Sequence, residues 1–534
     1  MHSTAPPLRS PPSRWASSRA AALLLAAVGV GAYSNSFSVP FHYDDRVVIL
    51  GEPAITGFRL AWSSRRFLGD LSFALCYRLF GDRPLGYHVV NLGIHLASAL
   101  LVYALVRALF SAPSLERSRI APHAPAVALA AGLLFVGHPV QTQAVTYVVQ
   151  RYASLAALFF LAATLCYVRF RIATSRAWYV GFLAAALAAF WTKENAFVLP
   201  LVVLALELSL FNASAARRLL FLSPFVLALI VGAAALASSG VSFSRLDALT
   251  RVDTAMSRAD YLLTQVRVVA RYLQLLAVPI GQNLDHDVSL STSIAEPRVI
   301  AALLLHLGLG GGAALAFARG RSADPAWRLV GVGIAWFYLS LLVESSIVPI
   351  VDVMYEHRVY LPSVGVFLAA AIVLALAVPP PRAAWRATVA TAVAALTVAT
   401  FSRNRVWRDD LALWTDAARK SPGKARPLMS VGVALFERGR VAEAAEAYRA
   451  ALRADPSYLK ASFNLGEALQ ALGDCRGAIP EYLRFASVHP RYPQTYRNLA
   501  RCYEQLGDPT MARLFEERFA RESAREGPLP PFYR

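Results

Sequence analysis

For its first 400 residues the chain alternates long apolar runs with short polar connections. Runs of about 20 mostly apolar residues, the length that spans a bilayer, fall near 17–35, 84–110, 122–138, 152–170, 177–192, 195–211, 218–239, 298–318, 327–347, 361–379 and 383–401. A further stretch, YLLTQVRVVARYLQLLAVPI at 261–280, carries Arg267 and Arg271 in its middle. One central Arg costs about 2.5 to 3.5 kcal/mol on insertion. Two weigh against a crossing, so this segment is expected to be an interfacial or re-entrant helix.

Beyond about residue 402 the apolar runs give way to a soluble pattern with a period. Gly439, Gly473 and Gly507 recur every 34 residues, as do Ala444, Ala478 and Ala512, and Pro456 and Pro490. That period, with small residues at Gly432, Gly466 and Ala500, predicts tetratricopeptide helix pairs. The recurrent Gly should end the first helix of each pair and the Pro should follow the second. A half-repeat, DDLALWTDAARKSP, sets Trp414, Ala417 and Pro422 at matching phases and is expected to cap the stack against the membrane domain. The expected fold is therefore all-α: a polytopic membrane bundle of about eleven spans, then an α-solenoid. Residues 1–16 form a basic tail, 17–401 the membrane domain, 402–424 a linker with the half-repeat, 425–520 the repeats and 521–534 a C-terminal tail.

Composition agrees with this reading. Only 16% of residues are charged and 56% are apolar, against about 25% charged in soluble domains. The formal net charge of +19 sits in short loops. Nucleic-acid recognition motifs are absent, and nucleic acid is not an expected partner. The Arg-rich connections SLERSR, RFRIATSR, ASAARR, ARGRSADPAWR and PPPRAAWR, with the N-terminal tail, all fall on one side if 261–280 does not cross. The positive-inside rule makes that side cytoplasmic. The basic start followed by an apolar core also has the layout of a signal peptide; an uncleaved first span is expected. Of the four cysteines, none has metal-ligand spacing. Cys475 and Cys502 are open to a disulfide if their domain is extracytoplasmic, and equally to two free thiols.

The opposite connections hold FHYDDR, HPVQTQAVTYVVQR, TKEN, LDHD and VDVMYEHR. Polar and ionisable groups in and beside spans are expensive and mark function. His88, Asn91 and His95 share one helix face at offsets of three and four. Helix–helix hydrogen bonding explains them as well as a site does, and no third strong ligand makes them a metal site. Lys193 and Glu194 are open to a plain role as an interfacial anchor. Adjacent acids such as Asp44 and Asp45 are more often a solvated turn. Taken together, however, acids and bases gathered at one membrane face suit glycosyl transfer from a lipid-phosphate sugar. A carboxylate takes the proton of the attacking hydroxyl, and cations stabilise the leaving phosphate. Asp44 and Asp45 fit the base. His88, Asn91, Arg151, Lys193, Glu194, Glu356, His357 and Arg358 are candidates for the donor phosphate and substrate. No metal ligand set is evident, no cofactor is required on this reading, and metal dependence is open.

The order FHYDDR, RPLGYHVVNLGIHLASALL, GHPVQTQAVTYVVQRYASLAALFFL, KEN, NLDHD, YEHRVYLPSVG and SRNRVWRDDLALWTDAARKSP, followed by repeats, resembles the transmembrane and tetratricopeptide-repeat O-mannosyltransferases over about residues 20–520. These belong to the GT-C class of membrane glycosyltransferases. The resemblance implies an extracytoplasmic enzyme that moves a sugar, expected to be mannose, from a polyprenyl- or dolichyl-phosphate carrier to Ser or Thr of proteins. It carries the family's acidic pair onto Asp44 and Asp45. The acceptor protein is expected in the repeat groove. The chain departs from the eukaryotic pattern in having about three repeats and a half. Its Ala/Arg-rich composition suggests a bacterial inner membrane and an undecaprenyl-type lipid. Two other classes remain: a membrane-tethered scaffold without catalysis, and a lipid-linked substrate transporter. A scaffold has no need of DD, KEN and YEHR on one face. A transporter calls for paired halves, which the membrane region lacks.

Overall fold

A computed structural model describes residues 18–211, 214–238, 256–380 and 382–525. The expected basic tail of residues 1–16 lies outside them, as does most of the C-terminal tail. All regular structure among the described residues is helical. The chain divides into two units: residues 1–282 with 289–405, and residues 283–288 with 406–534.

In the first unit the helices longer than one turn or two are α1 (Ser18–Tyr33), α2 (Phe67–Phe80), α3 (Pro84–Leu109), α4 (Ala124–Gly137), α5 (Arg151–Ala173), α6 (Arg176–Phe190), α7 (Leu199–Leu210), α8 (Ala215–Ser238), α9 (Arg258–Ala277), α10 (Pro297–Ser322), α11 (Trp327–Leu341), α12 (Pro362–Ala377) and α13 (Ala383–Asn404). Among the described residues four stretches are long and apolar enough to cross a membrane: Pro84–Leu109, Val148–Ala173, Pro297–Ser322 and Ala383–Arg408. A fifth counts if Ala121–Gly137 and Pro139–Val145, bent by 51°, form one broken span. This is fewer than the eleven expected. Several runs that read as continuous on hydropathy are broken by the backbone. Pro139 ends α4, and the run at 195–211 starts as a tight turn over Glu194–Val198 before α7. The helices α1, α6, α11 and α12 are apolar but have at most 16 residues each.

Helix α9 is not among the four. Arg267 donates to Ser289 O and Ser291 Oγ, and Arg271 to Ile280 O and Gly281 O. Arg267 is thus satisfied by the loop that follows the helix, and Arg271 by that loop together with Gln274 of the helix itself. Its buried face carries Tyr261, Gln265 and Tyr272. These donate to Glu344 O, Val353 O and Tyr355 O, so α9 braces the connection between α11 and α12.

The second unit holds α14 (Asp410–Lys420) and three helix pairs: α15 (Ala425–Phe436) with α16 (Val441–Ala454), α17 (Leu459–Ala471) with α18 (Cys475–Val488), and α19 (Pro493–Gln505) with α20 (Pro509–Ser523). Gly439, Gly473 and Gly507 end the first helix of each pair at φ 74°, 82° and 77°, a region that costs other residues energy. A Cβ on Gly432 or Gly466 would come within 2.4 or 2.7 Å of the Tyr448 or Tyr482 ring. The 34-residue period therefore records a close helix crossing. Residues 283–288 pack in this unit. Asp285, almost wholly buried, pairs with Lys424 and Arg426. Ser421 Oγ donates to Asp285 O and accepts from Asn283 Nδ2 and Asp287 N.

Candidate active site

The acidic pair follows a strained turn. Tyr43 sits at φ 37°, where a residue with a Cβ is held only if its surroundings fix it. What fixes it is Asp45, which has no exposed surface. Its Oδ2 accepts from His42 N at 3.0 Å and its Oδ1 from Val149 N at 2.6 Å. Burial pushes this carboxyl up to about 7, against the pull of those two N–H groups and of His42, with Asp44 adding to the rise. Asp44 is only half-buried, and its backbone N donates to Tyr147 Oη at 3.0 Å. The two acids therefore differ: one is wholly buried and locked to backbone, the other is half-buried beside it.

Behind this turn lie His88, Asn91 and Arg151, all buried. His88 Nε2 donates to Val39 O, and Asn91 Nδ2 to Val145 O. Arg151 donates from Nε to Asn91 Oδ1 at 2.6 Å, from one terminal nitrogen to Ser72 O and Cys76 Sγ, and from the other to Tyr87 O. Its guanidinium also lies over the Phe73 ring. This residue ties α2, α3 and α5 together from within.

A second cluster gathers at the break between α6 and α7. Lys193 Nζ donates to Glu344 Oε1 at 2.6 Å, with both side chains 9% exposed. Glu194 pairs with Arg66 at 3.1 Å and is more open. Burial raises the Glu194 carboxyl, but Arg66 outweighs it and holds the group below its usual range. Glu356 Oε2 accepts from Gln282 Nε2, and His357 N donates to Gln143 Oε1. The imidazole of His357 stacks on Tyr355. Burial, then Lys193, Arg358 and Arg66, hold it well below its usual range and so neutral. Arg358 donates to Asp352 O and Val353 O and lies over the Tyr355 ring. Polar atoms buried here without a partner among the described residues include His357 Nδ1, Gln143 Nε2, Glu344 Oε2, Glu194 Oε2 and Asn195 Oδ1.

The connection between α4 and α5 meets both clusters, with Tyr147 Oη accepting from Asp44 N and Gln143 Oε1 from His357 N. Burial lifts the Tyr147 phenol well above the usual range, and Asp44, Asp45 and Tyr355 add to that. The structure thus brings every expected residue to the same ends of the helices: after α1, α4, α6 and α11, and at the starts of α3, α5, α7 and α12. Sequence reasoning missed Tyr147, Tyr355, Arg66 and Glu344. The last could have been found, because an acid inside the expected span 327–347 is costly. Among the described residues no three His, Cys, Asp or Glu side chains cluster so as to hold a metal ion.

Over most of its length the chain is similar to protein O-mannosyl-transferases. It is 28% identical to the Drosophila melanogaster protein O-mannosyl-transferase Tmtc3 over 510 residues, 82% of this chain and 54% of that protein. It is 25% identical to the Caenorhabditis elegans protein O-mannosyl-transferase F38B6.6 over 459 residues, 82% of this chain and 63% of that protein. The chain therefore spans little more than half the length of these relatives. The family described as TPR repeat matches residues 432–473, and that described as Tetratricopeptide repeat matches residues 463–526. Among solved structures, the APC/C hetero-tetramer Cut9-Hcn1 aligns over 89% of this chain and 96% of that one at 14% identity. Its TM-score of 0.21 carries no argument.

Proposed function

We propose that this chain is a GT-C type membrane glycosyltransferase of the bacterial inner membrane. It moves a sugar, expected to be mannose, from a polyprenyl- or dolichyl-phosphate carrier to Ser or Thr hydroxyls of extracytoplasmic proteins. The repeats engage the acceptor. The observation that carries this reading is the half-buried Asp44 beside a locked Asp45, on a turn whose Asp44 N donates to Tyr147 Oη, in the same 138–150 connection whose Gln143 accepts from His357 N. In the reaction the acceptor oxygen attacks the anomeric carbon, Asp44 takes its proton, and the bond from that carbon to the phosphate oxygen breaks. The phosphate leaves with the electron pair. Lys193 and Arg358 are the cations assigned to stabilise it. Gln143 Nε2, Glu344 Oε2 and His357 Nδ1, each left without a partner, suit the hydroxyls of the sugar. Asp45 and Arg151 act as positioning residues.

The proposed topology takes its sense from the positive-inside rule and meets a parity condition. Residues 283–288 pack with the repeats, so both belong on one side of the membrane. An even number of crossings must then separate residue 288 from residue 406. The four apolar helices α10 to α13 meet that condition, with the short α11 and α12 counted as spans. On this assignment the Arg-rich connections and the N-terminus are cytoplasmic, and the site and repeats are outside. The reading is tested by transfer of label from a panel of polyprenyl-phosphate sugars to protein in reconstituted membranes. Transfer by the wild type and its loss in Asp44→Asn is the expected result. Full activity in Asp44→Asn and in Asp45→Asn would overturn the role given to the pair.

A further inference from the structure

Cys475 is the first residue of α18, and Cys502 lies on α19. Both are buried as free thiols. Their sulfurs lie 2.7 Å apart, closer than two unbonded sulfurs rest. Two buried thiols are often no more than small apolar fillers, and the repeat provides an internal control for that reading. Thirty-four residues earlier the same two phases hold Val441 and Ala468. The other repeat junction thus fills these positions with plain apolar side chains, and only this one has sulfur at both. The remaining cysteines are placed differently: Cys76 accepts from Arg151, and Cys166 is only partly buried.

We propose that Cys475 and Cys502 form a disulfide that staples the second helix of one repeat to the first helix of the next. The bond forms by exchange with the disulfide of a thiol–disulfide oxidoreductase. The thiolate of one cysteine attacks that disulfide and gives a mixed disulfide. The thiolate of the other displaces the oxidoreductase sulfur. Two thiols become one S–S bond, and the two electrons and two protons leave on the oxidoreductase as its dithiol. Burial, and the neighbouring Cys475 after it, raise the Cys502 thiol well above its usual range. Thiolate is scarce in the closed repeats, so exchange belongs to the open chain during folding, and the finished bond is shielded. Such bonds persist only in oxidising compartments. The proposal therefore rests on the extracytoplasmic placement of the repeats, and the test separates the two.

The full chain in native membranes is denatured in a first maleimide, reduced, and treated with a second maleimide of different mass. Peptides are then read by mass spectrometry. The expected result is the second label on Cys475 and Cys502 and the first label on Cys76 and Cys166. The first label on Cys475 and Cys502 overturns the native disulfide, and unfolding and refolding the purified protein with a mild thiol oxidant then says why. If the pair cross-links there, the pairing stands and the placement of the repeats falls. If it does not, the pairing itself falls and the placement is untouched. A Cys475→Val, Cys502→Ala variant borrows the side chains of the other junction and should fold. Its melting temperature should drop by roughly 5–10 °C against the oxidised wild type and by little against the reduced one. An equal drop against both would mean lost packing rather than a lost bond, and would overturn the proposal.

Discussion

Asp45 spends both carboxylate oxygens on backbone N–H groups and is wholly buried, whereas Asp44 keeps part of its surface exposed and is the acid a substrate can reach. The two should therefore fail differently. Asp44→Asn should cut transfer by about 10²–10⁴-fold with little change in donor KM. Asp45, raised to about 7 by burial, takes up its proton as pH falls through that value. Its negative charge beside Asp44 is then lost, and with it part of the proton affinity that Asp44 needs as a base. Transfer should rise with pH through an inflection near 7, and Asp45→Asn should lower the rate and remove the inflection. A pH profile of both variants checks this. Arg151 makes the opposite case. Its charge suggested a phosphate ligand, but its donors are taken by Asn91, Ser72, Cys76 and Tyr87. Arg151→Ala should destabilise by about 1–3 kcal/mol for each buried acceptor it leaves unpaired, and Arg151→Lys should not restore this, because a point charge cannot span that fork. Thermal melting in detergent, with donor KM measured on the folded fraction, separates this from a phosphate contact, which would raise KM and leave the melt alone.

At the scale of elements, the sequence exposed one partner of each important pair more readily than the other. Lys193 stood out because it interrupts two apolar runs. Glu344 was hidden inside a run counted as a span, and only the end of α11 at Leu341 frees it to meet Lys193. The same holds for Tyr147 and Tyr355: an aromatic in an apolar sequence is ordinary until the fold brings it to the Asp44 N–H or to the His357 ring. Hydropathy, which reports only burial, also did not show where backbone breaks such as Pro139 divide a run. The repeats were legible throughout, because Gly432 against Tyr448 and Gly466 against Tyr482 state a local contact once per period. The Lys193–Glu344 pair gives a prediction at this scale. Lys193→Ala and Glu344→Ala should each destabilise by about 3–5 kcal/mol, since each leaves a buried charge alone. The double replacement Lys193→Met, Glu344→Leu should recover most of that stability and none of the transfer. Melting curves set beside the transfer assay check it, and recovery of both would reduce the pair to a structural tie.

For the whole molecule the decisive quantity is the number of crossings before and after α9. If α9 lies at the interface, Ser293 and Ser457 share one side, and Arg117 and Ser322, all four exposed, share the other. If α9 crosses, the sides of the segments after it are inverted: Ser293 changes side relative to Arg117, and the Arg-rich connection at 318–328 moves outside. The satisfied Arg267 and Arg271 argue for the first arrangement, because among their partners Ser289, Ser291, Ile280 and Gly281 come from the loop beyond the helix. Drawing that loop along the helix into hydrocarbon would carry its polar backbone with it, which lipid does not tolerate. Single cysteines placed at each of the four positions, in a chain otherwise free of cysteine, should therefore react with an impermeant maleimide in two groups. Ser293→Cys and Ser457→Cys should label from outside in intact cells, and Arg117→Cys and Ser322→Cys only after permeabilisation. Labelling of Ser293→Cys together with Arg117→Cys would place α9 across the membrane. It would also separate the α9 brace at Tyr261, Gln265 and Tyr272 from the face that holds Asp44, and the site as drawn would have to be given up.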